Sequence, residues 1–280
     1  MSLRAMALAW VALLALSLGT LAADDDLGLG RHPWQNLVRT AGDMAVPSLV
    51  QALWGEPRRD IRDETGQVLR VAHPREDEQR FLAGMARALW TTLRIASLGT
   101  ALAALIALPL GLLGARSLGA PARLAAAARG VLDALRAVHT LVFGLLMVGI
   151  VGLGATAGLL AVALHSAGTL GKLLAESIEA LDRGPIEAVE ATGARPAQVF
   201  ALGVWPAVRP QFMGHILYIW EFNLRDSTIL GLVGAGGLGL LLSEAMSLFQ
   251  WARLSTLLLA IVLMVTAFDA LSRQVRARLQ

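Results

Sequence analysis

AVHTLVFGLLMVGIVGLGATAGLLAVALHSAGTLG, residues 137 to 171, runs for 35 residues without Asp, Glu, Lys or Arg. About 20 apolar residues cross the hydrocarbon of a bilayer, so the stretch is too long for one crossing. Gly152-Leu-Gly-Ala interrupts it. That break predicts a hairpin of two membrane helices with its turn on the outer face.

The blocks on either side extend this reading. Residues 116 to 129 hold three Arg and no acid, and short Arg-rich loops stay in the cytoplasm. Before them lie 21 uncharged residues, 95 to 115, with Arg94 at the entry where it can snorkel or pair. Residues 5 to 23 are uncharged after Arg4. Small residues before Asp24 also suit a cleavable signal peptide, but the later apolar blocks favour an uncleaved first span. A fifth span is expected from near Val208 and a sixth from about residue 252 to 271. The tail Arg273, Arg276 and Arg278 marks a cytoplasmic C-terminus.

The expected fold is therefore all-α and polytopic, with six transmembrane helices and both termini inside. Four parts follow: an N-terminal helix 1–23, an outer segment 24–84, a transmembrane domain 85–272, and a tail 273–280. The domain contains a cytoplasmic loop at 176–207. In the outer segment Trp34-Gln-Asn-Leu-Val-Arg and residues 46 to 54 read as short amphipathic pieces for the interface. Residues 55 to 78 read as a polar, turn-rich excursion.

Composition agrees. The chain is 56% hydrophobic and 16% charged, where soluble domains carry near a quarter of charged residues. It has no cysteine, which excludes disulfides and Cys-based zinc or redox sites. Arg makes up 23 of its 24 basic residues, and the net charge of +3 calls for no nucleic-acid partner.

Two nucleotide-site patterns fail on context. Gly234-Ala-Gly-Gly-Leu-Gly239 satisfies G-x-G-x-x-G but follows a membrane helix, with no βαβ unit and no acid about 20 residues on. Gly168-Thr-Leu-Gly-Lys172 has the wrong P-loop spacing, and Leu173 stands where Ser or Thr is required. No nucleophile–base or metal constellation is visible, so an intramembrane enzyme has nothing to stand on.

The informative polar stretch is Glu187-Ala-Val-Glu-Ala-Thr-Gly193, followed at Gly203 by Gly-Val-Trp-Pro206. Pro185 starts a short helix, Ala188 and Ala191 permit close packing, and Gly193 ends or turns it. This pattern resembles the EAA loop of ABC importer permeases, with Val189 and Trp205 in place of the commoner Ala and Leu. Further strings resemble the phosphonate permease branch, including Thr91-Thr-Leu, Leu164-His-Ser-Ala-Gly168, Tyr218-Ile-Trp-Glu-Phe-Asn-Leu-Arg225 and Leu232-Val-Gly-Ala-Gly-Gly-Leu-Gly239. The likeness covers most of residues 82 to 272.

The resemblance implies a five-helix core of the methionine-permease type with one helix added. It also implies a homodimer in the bacterial inner membrane, two ATPase partners that use ATP and Mg, and a periplasmic substrate-binding protein. This chain itself would bind no cofactor and perform no covalent chemistry. The implied cargo is a phosphonate, phosphite, hypophosphite or phosphate ester. Coupling residues carried over are Glu187, Ala188, Glu190, Ala191, Gly193, Arg195 and Pro206. At Thr140 the family commonly has Glu, a departure that puts direct transfer of substrate preference in doubt.

Charges inside the fifth span are costly and face the bundle interior, a partner or a water path. Glu221 and Arg225, four apart, form a candidate ion pair, with Tyr218 and Thr228 on the same face. Asn223, Asp226 and Ser227 point elsewhere on that helix. Either Arg225 meets an anionic cargo, or the pair is a structural bridge. Tyr218, Glu221, Asn223, Arg225, Ser227, Thr228, His139 and Thr140 are the translocation-path candidates. His165 reads as a hydrogen-bonded packing residue, and Glu244 and Asp269 as structural charges near helix ends. The rival function is an ion-coupled secondary transporter with Glu221, Arg225 and Asp226 as its relay.

Overall fold

A computed structural model describes residues 3–23, 32–62 and 68–279. The candidate cleavage point before Asp24, and residues 63–67 of the outer excursion, lie outside them. The chain divides into two compact units, Met1–Ala45 and Val46–Gln280. The first holds α1 (Leu3–Ala23), apolar and long enough to cross a membrane, and α2 (Pro33–Met44). Pro33 starts α2, where its missing N–H costs nothing. Trp34, Leu37, Val38 and Ala41 then fall on one face at helical spacing.

In the second unit the polar excursion is more ordered than its composition suggests. Helix α3 (Ser48–Trp54) is followed by an antiparallel hairpin of β1 (Arg59–Arg62) and β2 (Val68–Ala72). Helix α4 (Pro74–Gly114) begins directly after it and runs 41 residues, about 61 Å. The span expected at 95–115 is only the second half of α4, and no break occurs at residue 85. The first half is held by α12 (Trp251–Leu279): Phe81, Met85 and Leu89 pack with Leu254, Leu257 and Met264. Arg253 pairs with Glu78 at 2.9 Å and lies over the Phe81 ring. Ser48 on α3 meets Thr256 on α12 at 3.1 Å. These tertiary contacts turn a charged stretch into helix.

The uncharged run does not form two equal arms. A 3-10 turn at Arg116–Leu118 leads to α5 (Ala122–Ala137), then α6 (Thr140–Val151), bent from it by 92°. At about 18 Å, α6 cannot cross a bilayer alone, so the first arm is a broken helix and not a simple span. Val138 and His139 adopt extended backbone at the break. The His139 ring accepts from Leu141 N, and the His165 ring bonds Val138 O at 2.8 Å. The turn at Gly152 and Gly154 stands where expected, both at positive φ, and Gly154 N donates to Gly234 O.

Helix α7 (Ala155–Glu179) is the central element, packed on α4, α5 and α6. Close approach needs small residues there: a Cβ on Gly111 would stand 2.8 Å from Gly171 O, and one on Gly99 would stand 2.8 Å from Val162 Cγ1. The polar loop folds as α8 (Gly184–Glu190), α9 (Pro196–Val199) and a π turn over Phe200–Val204. It leads into α10 (Trp205–Leu230), a 3-10 turn at Gly231–Val233, α11 (Leu238–Ser247) and α12. Gly234, Gly236 and Gly237 have positive φ, and the α10–α11 axis bends by 49°. Leu238 N donates to Thr92 Oγ1 at 2.9 Å, so this irregular backbone, half-buried at Gly234, Gly236 and Gly237, is tied to α4.

Among the described residues four helices are long and apolar enough to cross a membrane, or up to six if each bent pair is one span. The fold is all-helical apart from the two-stranded hairpin. Leu258, Leu259, Val262 and Leu263 on α12 and Leu145, Leu146 and Ile150 on α6 are exposed, as lipid-facing side chains should be.

Candidate coupling loop and intramembrane charge triad

The loop between α7 and α10 is held from beneath by apolar contacts. Ile186, Phe200 and Trp205 pack on a core of Ala175, Ile178, Val204, Val208 and Phe212. Glu187 N donates to Arg183 O to start α8, and Gly193 N donates to Glu190 O to close it. Gly193 has φ +76°, which a side chain would strain. Arg195 N donates to Gln198 Oε1 at the start of α9, where Pro196 takes the first helical position. Glu187, Ala188, Glu190, Ala191, Gly193, Arg195 and Pro206 are all exposed. Neither Glu187 nor Glu190 forms an ion pair among the described residues. A cavity of about 480 Å³ lies beneath, lined by Leu112, Ile178, Ile186, Phe200, Glu187 and Glu190 among others. The loop is therefore anchored by apolar contacts and leaves small residues and two carboxylates accessible to solvent. The π turn lets its last residues step out of register with α10.

The fifth-span candidates separate into two groups. Asn223 is fully buried, donating to Thr100 Oγ1 at 2.8 Å and accepting from Ser166 Oγ at 2.9 Å. It ties α10 to α4 and α7, so its amide is spent on packing. Trp220 Nε1 donates to Ser97 Oγ on the same side. Ser227 and Thr140 are also buried, and among the described residues their hydroxyls have no partner; one oxygen of Asp226 is in the same state. Thr228 Oγ1 donates back to Arg225 O at 2.6 Å. His139 is exposed at the α5–α6 break, with its ring 6.3 Å from that of His165.

Glu221 and Arg225 make the expected pair, at 2.8 Å. A third member joins them: Arg276 Nη2 on α12 donates to Glu221 Oε2 at 3.3 Å. Sequence reading placed Arg276 with the tail charges. No local spacing links positions 221 and 276, and only the cost of an intramembrane carboxylate hinted at further partners. The Glu221 side chain is 15% exposed and that of Arg225 53%. Tyr218 and Phe222 are exposed beside Arg225.

A bundle of long apolar helices with an exposed polar loop at one end and paired charges on α10 defines a polytopic membrane protein. Residues 107–280 match the family model described as binding-protein-dependent transport system inner membrane component, and the chain belongs to that family. It is 42% identical over 190 residues to the phosphite transport system permease protein PtxC of Stutzerimonas stutzeri, covering 68% of this chain and 69% of that one. HtxC of the same species is 40% identical over 185 residues, 66% of either chain, so the match spans about two thirds of these relatives' length. The phosphate-import permease protein PhnE of Mycolicibacterium smegmatis is 37% identical over 207 residues, 74% of this chain and 38% of that one.

Solved structures agree on the fold. An inward-facing MetNI methionine ABC transporter chain superposes with TM-score 0.66 at 21% identity, covering 72% of this chain and 98% of that one. A chain of an amino acid ABC transporter gives 0.60 at 18%, over 72% and 97%. The methionine-permease-type core expected from sequence is thus the observed fold. The family consists of transport-system membrane components, which does not favour the ion-coupled reading.

Proposed function

We propose that this chain is the translocating subunit of an ATP-driven importer for phosphite or a related phosphorus oxyanion, such as a phosphonate, hypophosphite or phosphate ester. The observation that carries the proposal is the loop Glu187 to Pro206, anchored by apolar contacts and with Glu187 and Glu190 in no ion pair among the described residues, on a fold shared with an ABC transporter. The names of PtxC and PhnE supply the cargo class. A separate ATPase chain, present twice, binds ATP and Mg and seats on Glu187, Ala188, Glu190, Ala191, Gly193, Arg195 and Pro206. A periplasmic binding protein delivers the cargo at the opposite face.

In this reading the loop 176–207 and both termini are cytoplasmic, because the Arg-rich segment 116–129 and the tail 273–280 lie on that side, and Arg276 of the tail reaches Glu221 on α10 from there. The transmembrane domain is 85–272, preceded by the first helix at 1–23 and the outer segment 24–84. The membrane is the bacterial inner membrane. A half-exposed Arg225 is costly against lipid, so the α10 face of Tyr218, Phe222 and Arg225 meets a second copy of the chain across a water-filled path. Glu221, Thr228, Ser227, His139 and Thr140 lie along or near that path, and Asn223 anchors its wall.

Reconstitution in vesicles with the ATPase and binding protein tests the proposal. Uptake of phosphite is expected only with ATP and both partners. Uptake by this chain alone under an ion gradient would overturn it in favour of a secondary transporter.

A further inference from the structure

Three charged groups meet between α10 and α12, far apart in sequence. Glu221 is bonded at one carboxylate oxygen by Arg225 and at the other by Arg276. Two guanidiniums against one carboxylate leave the group with a net charge of +1. The positions are not equivalent. The Glu221 side chain is 15% exposed and Arg276 35%, whereas Arg225 is 53% exposed on the face with Tyr218. Asp269 lies two turns, about 10 Å, before Arg276 on α12 and makes no ion pair among the described residues.

A lone Glu221–Arg225 pair would be neutral and would hold Arg225 folded onto its own helix. By engaging the second carboxylate oxygen, Arg276 takes up part of the charge that would otherwise cancel Arg225. We infer that Arg276 is a positioning residue: through Glu221 it leaves an uncompensated positive charge displayed at Arg225 on the exposed face of α10, suited to an oxyanion. Guanidinium retains free N–H donors when one of its nitrogens is engaged, and its planar fork fits oxyanions. The assignment of an oxyanion rests on the proposed function, whereas the charge arrangement does not. The competing account is a structural bridge between α10 and α12, in which loss of any member has the same effect.

Charge count separates the two accounts, because the variants carry different net charges. Arg276→Gln leaves the group neutral, and Glu221→Gln with Arg276→Gln together restores a single positive charge on Arg225. The chain has no cysteine, so Tyr218→Cys introduces the one thiol of this chain beside the group. The ratio of its reaction rates with an anionic and a cationic methanethiosulfonate reagent then reads the local charge, with the full chain assembled with its partners. In that background Arg276→Gln is expected to lower the anionic-to-cationic ratio about tenfold, and adding Glu221→Gln to restore it to within about threefold. Arg276→Lys should keep the ratio within about threefold, which guards against a mere folding defect. A ratio that stays low in the double variant, or one that falls in Arg276→Lys as in Arg276→Gln, overturns the inference.

The same variants without the cysteine, tested for ATP-driven phosphite uptake, should show KM following the charge ratio. Absence of uptake in the unaltered chain would count against the proposed cargo, while the thiol ratios still decide the charge arrangement.

Discussion

The loop at residues 184–206 and the triad of Glu221, Arg225 and Arg276 both carry charge, and they handle it in opposite ways. In the loop, Glu187 and Glu190 are exposed and form no ion pair among the described residues, while the anchoring is apolar through Ile186, Phe200 and Trp205. Water solvates such carboxylates, so their replacement changes stability little. Within the bundle Glu221 has two partners, and Asn223 has both amide ends bonded. There an unpaired polar group costs its desolvation, so the bonds to Glu221 and Asn223 matter to stability, although Ser227, Thr140 and one oxygen of Asp226 stay without a partner among the described residues. The contrast separates exposed residues, which under the proposed function would meet a partner, from residues that hold the chain together.

The largest effect is expected where helices meet with no room. Gly111→Leu would push a side chain into Gly171 O and Leu174, so a loss of about 3 kcal/mol or more is expected. Its measure is loss of the monodisperse folded fraction in detergent; wild-type yield and melting would break the account of α4–α7 packing. Next comes the anchor at Asn223. Asn223→Leu strands the Ser166 hydroxyl, while Thr100 Oγ1 keeps its bond to Ala96 O, and is expected to cost about 1–3 kcal/mol, read as a lower melting temperature. An unchanged melting temperature would return Asn223 to the open path.

The smallest stability effect belongs to the loop. Glu187→Ala should alter stability by less than about 0.5 kcal/mol. Combined with Gly193→Val, strained at positive φ, it should release the ATPase subunit on co-purification. Retention of the ATPase after both changes would erase the functional half of the comparison.

Legibility followed the range of the interaction. The helix from Pro185, its end at Gly193 and the turn at Gly152 were readable, because proline and glycine act on their own backbone. The Glu221–Arg225 pair was readable because four residues make one helical turn. The 92° break between α5 and α6 was not, since it depends on His165 holding Val138 O from another helix. The early start of α4 was also hidden. Residues 74–94 look solvated by composition, yet α12 and α3 supply their burial and their ion pair.

The sequence by itself determined that the chain lives in a membrane, which stretches are apolar enough to cross it, and where a solvated loop with an EAA-like pattern stands. Those properties reside in local hydropathy and in single-residue backbone preferences. Only the tertiary structure decided that Asn223 is a cross-link between three helices, and that Arg276 reaches back to share Glu221 with Arg225. Partners 55 or 123 residues apart are chosen by how the helices pack, and no local rule of spacing carries that information.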